Sequence, residues 1–366
     1  MRVDRLELTD FTVFERAEFE FSPGLNVLIG ANGTGKSHVL KVLYSVTRAM
    51  ASMGVVARDN PESDVREILG DPILDTLEKT FRPEPDALLL TALIRRGAEK
   101  SEVTVRGSFG TAAVRFGGED TTADFAAFVP PMHEYAVFVP ASEVLSMYPG
   151  FVAAYERKEL SFDGTFRDLC LDLSASPLRS IDPPALADLV AKLDEAVGGK
   201  TVLVGNRFYV SLSEDWLLGA PMLAEGLRKL AAITHLIRND SLAQNGVLFW
   251  DEPETNMNPK LIPTVAQALM GLAAAGIQVF VATHDYLLSN ELSLAAEYQT
   301  DEGKAANIRF FCLGRDQSSE PVRIASGATL AEIPENPILQ EFAAHYDRER
   351  NLFYGQGPVP TPEPRK

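Results

Sequence analysis

The chain has 366 residues, 46% of them hydrophobic and 23% charged, so it can bury a full-sized core and is expected to form about two structural units. Its 34 basic residues face 51 acidic ones, and the formal charge of -17 excludes a general attraction to nucleic acid, although a local basic groove stays open. Cys170 and Cys312 form no CxxC pair, which excludes a disulfide framework and a zinc hook.

The beginning of the chain gives no sign of membrane targeting. The segment MRVDRLELTD is charged from its second residue and lacks the apolar stretch of a signal peptide. No uncharged apolar run reaches the roughly 20 residues that a membrane-spanning helix needs. These features predict a cytoplasmic protein without a membrane partner.

The first elements of the chain are predicted to be short strands that end at the turn Pro23-Gly24. The run LNVLIG at 25–30 is continuously apolar, as in a buried strand, and leads directly into the glycine-rich segment GANGTGKS at 30–37. From Lys36 onward the apolar residues recur at helical spacing. A strand, a glycine-rich loop and a helix therefore follow one another.

The middle of the chain is more varied. We expect loops and short helices over residues 54–86, which are polar and irregular, and a hairpin over 103–116, where apolar residues alternate. The run YAVFVP at 135–140 is typical of a buried strand. Most of residues 148–197 have a helical pattern, which predicts a compact helical lobe.

After a predicted hairpin at 201–212 and a helix at 222–238, strands and helices alternate. The apolar runs at 246–250 and 277–282 predict buried strands, and residues 260–275 between them predict a helix. This alternation is typical of an α/β fold with a mostly parallel sheet covered by helices.

The glycine-rich segment matches GxxxxGK[ST], which predicts a P-loop because a strand precedes it and a helix follows. Its backbone N–H groups can cradle a triphosphate, Lys36 can reach the β- and γ-phosphates, and the Ser37 hydroxyl can bind magnesium. The loop therefore predicts ATP and Mg²⁺ as cofactors. The predicted nucleotide-binding residues are Gly30, Ala31, Asn32, Gly33, Thr34, Gly35, Lys36 and Ser37.

A second motif, VLFWDEPE, supplies the carboxylates that phosphoryl transfer requires. Asp251 follows a buried strand, where it can support magnesium, and Glu252 beside it can polarise the attacking water. The alternative interpretation is a pair of carboxylates that only caps the end of a strand.

The segment Asp251-Glu252-Pro253 resembles the Walker B motif and catalytic glutamate of ABC-type ATPases. The likeness is greatest to the SMC, RecF and OLD-like group of prokaryotic AAA-type ATPases, including its AbiEii-like, defence-associated members. In the same comparison, the segment from Asn256 to Pro259 resembles the D-loop, and Thr283-His284-Asp285 resembles the switch-histidine segment. The resemblance implies the α/β fold of an ABC-ATPase head, a mixed sheet flanked by helices, with Glu252 and His284 catalytic.

Members of this group sandwich ATP between two heads, and a signature helix of one head completes the site of the other. Here LAEGLRKL at 223–230 resembles that signature, with Gly226 placed to meet the γ-phosphate. Ala224 replaces the usual serine, and Arg228 or Lys229 are candidates to compensate for the lost hydroxyl. An ordinary amphipathic helix is the alternative.

A second departure from the family concerns the Q-loop, since no glutamine occurs between Lys36 and Gly226. Glu143 and Ser142, which follow the strand YAVFVP, are the candidate substitutes, and a merely structural loop is the alternative. The residues that contact adenine are left open. Phe11 and Phe14 are candidates for that role or for core packing.

The resemblance extends from Met1 to about Phe311 and suggests a division of the chain. We expect residues 1–53 and 200–330 to form the ATPase core lobe, and residues 54–199 to form an inserted hairpin and helical lobe. A C-terminal helix is expected at 331–354, followed by a flexible Pro-rich tail at 355–366.

Several functions are compatible with such a head. No long heptad arm is present, and the roughly 80 residues after His284 contain no acidic DxD cluster, so neither an SMC tether nor a Toprim nuclease is expected in this chain. The resemblance implies an ATPase whose ATP-dependent head dimerisation regulates a separate effector, a nuclease or toxin, in prokaryotic antiviral defence. The alternatives are a RecF-like DNA-repair ATPase that binds DNA, a transporter subunit and an ATP-binding switch without turnover.

Overall fold

The computed structural model describes residues 1–60, 71–82, 89–117, 121–130, 136–213, 215–315, 321–333 and 336–354. Its strands are β1 (Val3–Phe11), β2 (Phe14–Glu20), β3 (Leu25–Gly30), β4 (Ser101–Gly107), β5 (Gly110–Phe116), β6 (Thr122–Ala126), β7 (Ala136–Val139), β8 (Lys200–Val204), β9 (Arg207–Ser213), β10 (Trp216–Gly219), β11 (Val247–Asp251), β12 (Gln278–Thr283), β13 (Arg309–Gly314) and β14 (Arg323–Gly327). Its α-helices are α1 (Lys36–Asp59), α2 (Pro72–Phe81), α3 (Phe151–Glu156), α4 (Gly164–Leu173), α5 (Pro184–Val197), α6 (Glu225–Arg238), α7 (Ile262–Ala274), α8 (Tyr286–Glu297), α9 (Asp301–Ala306) and α10 (Pro337–Tyr354). Short 3-10 helices occupy Leu89–Leu93, Ala220–Met222, Pro259–Leu261 and Leu330–Glu332.

The central sheet has the strand order β14-β13-β3-β12-β11-β7. Neighbouring strands from β13 to β7 are parallel, and β14 pairs antiparallel with β13. The apolar runs predicted as buried strands are β3, β12 and β11 in the interior of the sheet, where both faces are covered. The predicted α/β fold with a mixed sheet flanked by helices is confirmed.

Two hydrophobic cores lie on opposite faces of this sheet, and β11 contributes alternate residues to each. Val247 and Phe249 pack in the core that contains α1, whereas Leu248 and Trp250 pack in the core that contains α4 to α7. The first core is closed by an antiparallel sheet of order β2-β1-β4-β5-β6, so α1 is packed between two sheets.

Among the described helices, α1 alone is long and apolar enough to cross a membrane by length and composition. Its most apolar window is 72% buried inside the protein, and buried core helices pass the same test. The helix also continues past the point where a loop was expected. It runs through Gly54 to Asp59, because Gly54 is buried and helical packing outweighs its low helix propensity.

The segment 54–199 is less separate than the sequence suggested. Its strand β4 pairs with β1, and its strand β7 pairs with β11, so it contributes strands to both sheets of the expected core lobe. The division into lobes remains a prediction. The C-terminal helix begins at Pro337 rather than at 331, since Asn336 caps it by accepting from the N–H of Ile338 at 3.0 Å. The predicted tail at 355–366 lies outside the described residues.

Candidate nucleotide site

Three predicted motifs follow adjacent parallel strands. The P-loop follows β3, Asp251 is the last residue of β11 and Glu252 follows it, and His284 comes directly after β12. The strands β3, β12 and β11 are consecutive neighbours in the sheet, so their carboxyl ends lie at the same edge. The site therefore occupies the position where ligands bind in open α/β sheets.

Glycines with left-handed backbone give the P-loop its shape. Gly30 has a φ of 154°, and a Cβ there would lie 2.4 Å from the Leu313 carbonyl oxygen. Gly35 has a φ of 91°, and a Cβ there would lie 2.7 Å from the Phe14 ring. A side chain at either position would therefore be strained and would also collide with its neighbour. Gly33, with a φ of 79°, faces open space, so a side chain there would be strained without a collision.

Lys36 reaches back over the loop. Its Nζ donates to the carbonyl oxygens of Gly30 at 2.8 Å and Ala31 at 3.0 Å. Burial lowers the pKa of Lys36, and the carboxylates within residues 251–254 oppose that shift. Within the described residues, the backbone N–H groups of 33–36 donate to no protein acceptor. These N–H groups and the lysine form a cluster of donors suited to phosphate oxygens.

Ser37 and Asp251 meet although they are far apart in sequence. The Ser37 hydroxyl donates to Asp251 Oδ1 at 3.1 Å. Burial raises the pKa of Asp251, and the hydrogen bond from Ser37 opposes that shift. Two oxygen ligands at the edge of a phosphate-binding loop suit Mg²⁺, which completes its coordination with water and substrate phosphate. Within the described residues no cluster of three or more His, Cys, Asp or Glu side chains forms a metal site on its own.

Glu252 adopts a left-handed backbone conformation, with φ of 46°. Its N–H donates to the Ala282 carbonyl at 2.9 Å, and its Oε2 accepts from the Thr255 hydroxyl at 3.0 Å. Its Oε1 lies 3.1 Å from Nδ1 of His284, whose side chain is 44% exposed. Such backbone strain persists only where surrounding contacts hold it, as at catalytic sites. The predicted catalytic pair is thus in contact and open to solvent.

The lysine of the predicted signature helix has an unexpected position. Lys229 in α6 is 1% exposed, and its Nζ donates to the carbonyl oxygens of Glu252 at 3.1 Å and Thr255 at 2.9 Å. Burial lowers its pKa, and nearby acidic residues, Glu254 first among them, oppose that shift. Lys229 was a candidate to bind phosphate in place of the serine hydroxyl that is missing at Ala224. That prediction is wrong, because both contacts of Lys229 are backbone carbonyls of its own chain. The lysine ties α6 to the Glu252 turn of its own chain.

Glu254 is a site residue that the sequence interpretation missed. It is 7% exposed, and its Oε1 accepts from the Thr283 hydroxyl at 2.6 Å and from the His284 N–H at 3.4 Å. Burial raises the pKa of Glu254. This carboxylate fixes the end of β12, while Glu252 contacts the histidine ring. The sequence did contain a signal for this role, because Glu254 belongs to the same DEPE segment as Asp251 and Glu252.

The predicted signature residue Gly226 does not line the P-loop of its own chain. A Cβ at Gly226 would lie 2.8 Å from Met257 Cγ, so the start of α6 packs directly on the predicted D-loop segment. The helix begins after Ala224, which provides no side-chain cap, and Met222 just before it is 76% exposed. The contact of Gly226 with a γ-phosphate remains a proposal that requires a second copy.

The candidate Q-loop substitute also contacts α6. Glu143 is buried, and its Oε1 lies 2.9 Å from Nε of Arg228, which in turn donates through Nη1 to the Leu223 carbonyl at 2.6 Å. Glu143 Oε2 accepts from the Ser146 N–H at 3.1 Å. Arg228 therefore does not reach phosphate in its own chain either. The two aromatic candidates for adenine contact, Phe11 and Phe14, are fully buried in the core beside α1.

Comparison with known structures identifies the architecture. An SMC head bound to the C-winged helix domain of ScpA aligns with 89% of this chain and 98% of its own, with a TM-score of 0.53 and 13% identity. The chain has the fold of an ABC-type ATPase head. At this identity the likeness concerns the fold alone. Residues 173–290 match the family described as "AAA domain, putative AbiEii toxin, Type IV TA system", and residues 1–51 match an "AAA domain" family.

Curated relatives match over shorter stretches. The DNA replication and repair protein RecF of Citrobacter koseri is 41% identical over 69 residues, which are 18% of this chain and 19% of that protein. RecF of Cronobacter sakazakii is 28% identical over 135 residues, 36% of this chain and 32% of its own length. The chain is thus similar to only about a fifth to a third of each RecF protein.

Proposed function

We propose that this ABC-type head binds ATP with Mg²⁺ at the P-loop and hydrolyses it. The observation that carries the proposal is the meeting of Lys36, the Ser37–Asp251 pair and the Glu252–His284 pair at one sheet edge. Ser37 and Asp251 would hold Mg²⁺, which would supply positive charge to neutralise the phosphates. Glu252 accepts a proton from the attacking water, and His284 holds the carboxylate in place.

The test is Glu252→Gln, which keeps the shape of the side chain but removes its basicity. We expect phosphate release to fall by about 10²- to 10⁴-fold, because general-base catalysis typically contributes that much. Affinity for ATP should stay within about two-fold, since Glu252 is not among the P-loop donors. The exposed Glu195 of α5 provides the control Glu195→Gln. Unchanged phosphate release by Glu252→Gln would mean that Glu252 is not the base.

We further propose that two copies sandwich ATP. The support is that the start of α6 packs on Met257. It therefore adds no donor to the P-loop of its own chain. The uncapped amides at the start of α6 would face the γ-phosphate of a second copy, where the positive end of the helix dipole attracts anions. Sedimentation of Glu252→Gln should then show a dimer with ATP and a monomer with ADP.

The biological output we propose is control of a separate effector, a nuclease or toxin, in antiviral defence. It is supported by the match of residues 173–290 to a family whose description names a toxin–antitoxin system. The cytoplasm is the location we propose. Protection of cells from phage by the wild-type locus, and its loss with Glu252→Gln, is the corresponding measurement.

DNA binding is the second candidate function, favoured by the RecF matches. On the antiparallel sheet, however, arginines contact carboxylates: Arg5 with Glu18 at 2.9 Å and Arg115 with Glu102 at 3.0 Å. These ion pairs reduce the positive charge available to phosphates. ATP-dependent DNA affinity that falls steeply with salt would favour this function over the effector proposal.

A further inference from the structure

The C-terminal helix α10 starts at the edge of the nucleotide site. Its residues Ile338, Glu341 and Phe342 line a cavity of about 280 Å³ together with Gly30, Ala31, Asn32 and His284. The cavity therefore lies between the first turn of α10 on one side and the P-loop with His284 on the other. One turn of α10 covers the face of the site on which the γ-phosphate and a second head would have to sit.

An aromatic contact holds this turn of α10 against the head. The Phe342 ring stacks on the Tyr286 ring with centroids 4.1 Å apart and planes 30° apart. Tyr286 is the first residue of α8, two positions after His284. Ile338 packs at the margin of the larger core. The helix is thus anchored beside the switch histidine itself.

Several large side chains of this helix are exposed. Phe342 is 50% exposed, Tyr346 is 64% exposed and Leu352 is 86% exposed. Helices in proteins gain most of their stability from the packing of an apolar face. Because Ile338 and Phe342 contact the head within one turn of α10, separating this turn from the head disturbs little of the core.

A carboxylate of α10 also lies beside the P-loop. Glu341 lines the cavity with its side chain 71% exposed, and its carboxylate forms an ion pair with Arg348 at 2.8 Å. This ion pair offsets the negative charge of Glu341, and solvent screens what remains. The first turn of α10 therefore acts mainly through the space that it occupies on the face that ATP and a second head would use.

We propose that α10 is an autoinhibitory cover of the P-loop, which has to leave before two heads can close on ATP. This inference rests on the proposed ATP-dependent dimerisation. The stack of Phe342 on Tyr286 holds α10 in this autoinhibitory position. Regulation would then consist of anything that draws the exposed part of α10 away from the head.

The test is Phe342→Ala in the Glu252→Gln protein, with sedimentation in ATP to measure the protein concentration at which half the heads are dimeric. Alanine removes the ring without placing a carboxylate beside the P-loop. We expect that concentration to fall about 5- to 100-fold, because each of the two heads in a dimer loses one aromatic stack. Tyr286→Ala should lower it similarly, and the double variant should add little, because both changes remove the same contact. Leu352→Ala shortens an exposed side chain of the same helix and should have no effect.

The outcomes separate the two proposals. If Glu252→Gln dimerises in ATP and Phe342→Ala leaves its midpoint unchanged or raises it, α10 is not a cover, while the proposed dimerisation stands. If Glu252→Gln dimerises only when Phe342→Ala is added, the cover is supported in its strongest form. If neither protein dimerises, both proposals are wrong.

Discussion

The Lys36→Ala protein is expected to lose at least about 100-fold in ATP affinity while it remains folded. Lys36 Nζ donates hydrogen bonds to the Gly30 and Ala31 carbonyl oxygens. It belongs to the same loop as the N–H groups of residues 33–36, which have no protein acceptor. One charge pair at 4 Å contributes about 4 kcal/mol at an effective dielectric near 20, which is close to a thousand-fold in affinity before losses are counted. No other cation of the described P-loop replaces it.

The fold should tolerate this change because opposing effects nearly cancel. Removal of a buried ammonium relieves its desolvation, which already lowers the pKa of Lys36. Ala31 keeps one hydrogen bond at its carbonyl, from the Thr34 hydroxyl at 2.9 Å. Calorimetric titration with ATP and Mg²⁺ measures the affinity, with the exposed Lys304→Ala as control. Wild-type affinity in a folded Lys36→Ala protein would place the nucleotide elsewhere.

The central sheet and the predicted positions of the motifs could be derived from sequence for a local reason. A strand buried on both faces must be continuously apolar, so β3, β11 and β12 are visible as runs in the chain. Each motif stands directly after such a run. Parallel strands then place those motifs at one edge, and this is why Ser37 and Asp251 meet across 214 positions of sequence.

Contacts between segments that are far apart in the chain could not be predicted in this way, because no local sequence pattern marks them. The pairing of β4 with β1 depends on a register that no local pattern specifies. Through this pairing the segment 54–199, which was expected to be an insert, contributes a strand to the same sheet as β1. The partners of Lys229 are backbone carbonyls, which every residue carries, so sequence could not name them. The stack of Phe342 on Tyr286 likewise joins two helices far apart in sequence, and no local pattern pairs them.

In the proposed head dimer these tertiary contacts would give α6 a second role. The helix of one copy would meet the nucleotide of the other, while its Lys229 holds the Glu252 turn of its own copy. A displacement of α6 by nucleotide at one site would therefore reach the base at the other site through one buried ammonium. Physical coupling of this kind requires an element that both sites contact, and in that dimer α6 would be the element.

The Lys229→Met protein should lose turnover about 10- to 100-fold while stability and ATP affinity change little. Methionine keeps most of the hydrocarbon volume and removes a buried charge whose pKa burial lowers, which is favourable. Against this, the Glu252 and Thr255 carbonyls lose a donor, at about 1–3 kcal/mol for a buried group. The net change in the free energy of unfolding should stay within about 2 kcal/mol.

We expect lower turnover because the left-handed turn at Glu252 loses one of the hydrogen bonds that hold it. About 1 Å of misplacement of a catalytic group can cost about 10²-fold in rate. Separate measurement of kcat and KM, with the thermal unfolding midpoint beside them, distinguishes the two roles of the lysine. A positioning role predicts a lower kcat at constant KM and midpoint. A structural role predicts a lower midpoint with unchanged kcat for the folded fraction. The exposed Lys192→Met in α5 should alter none of the three quantities.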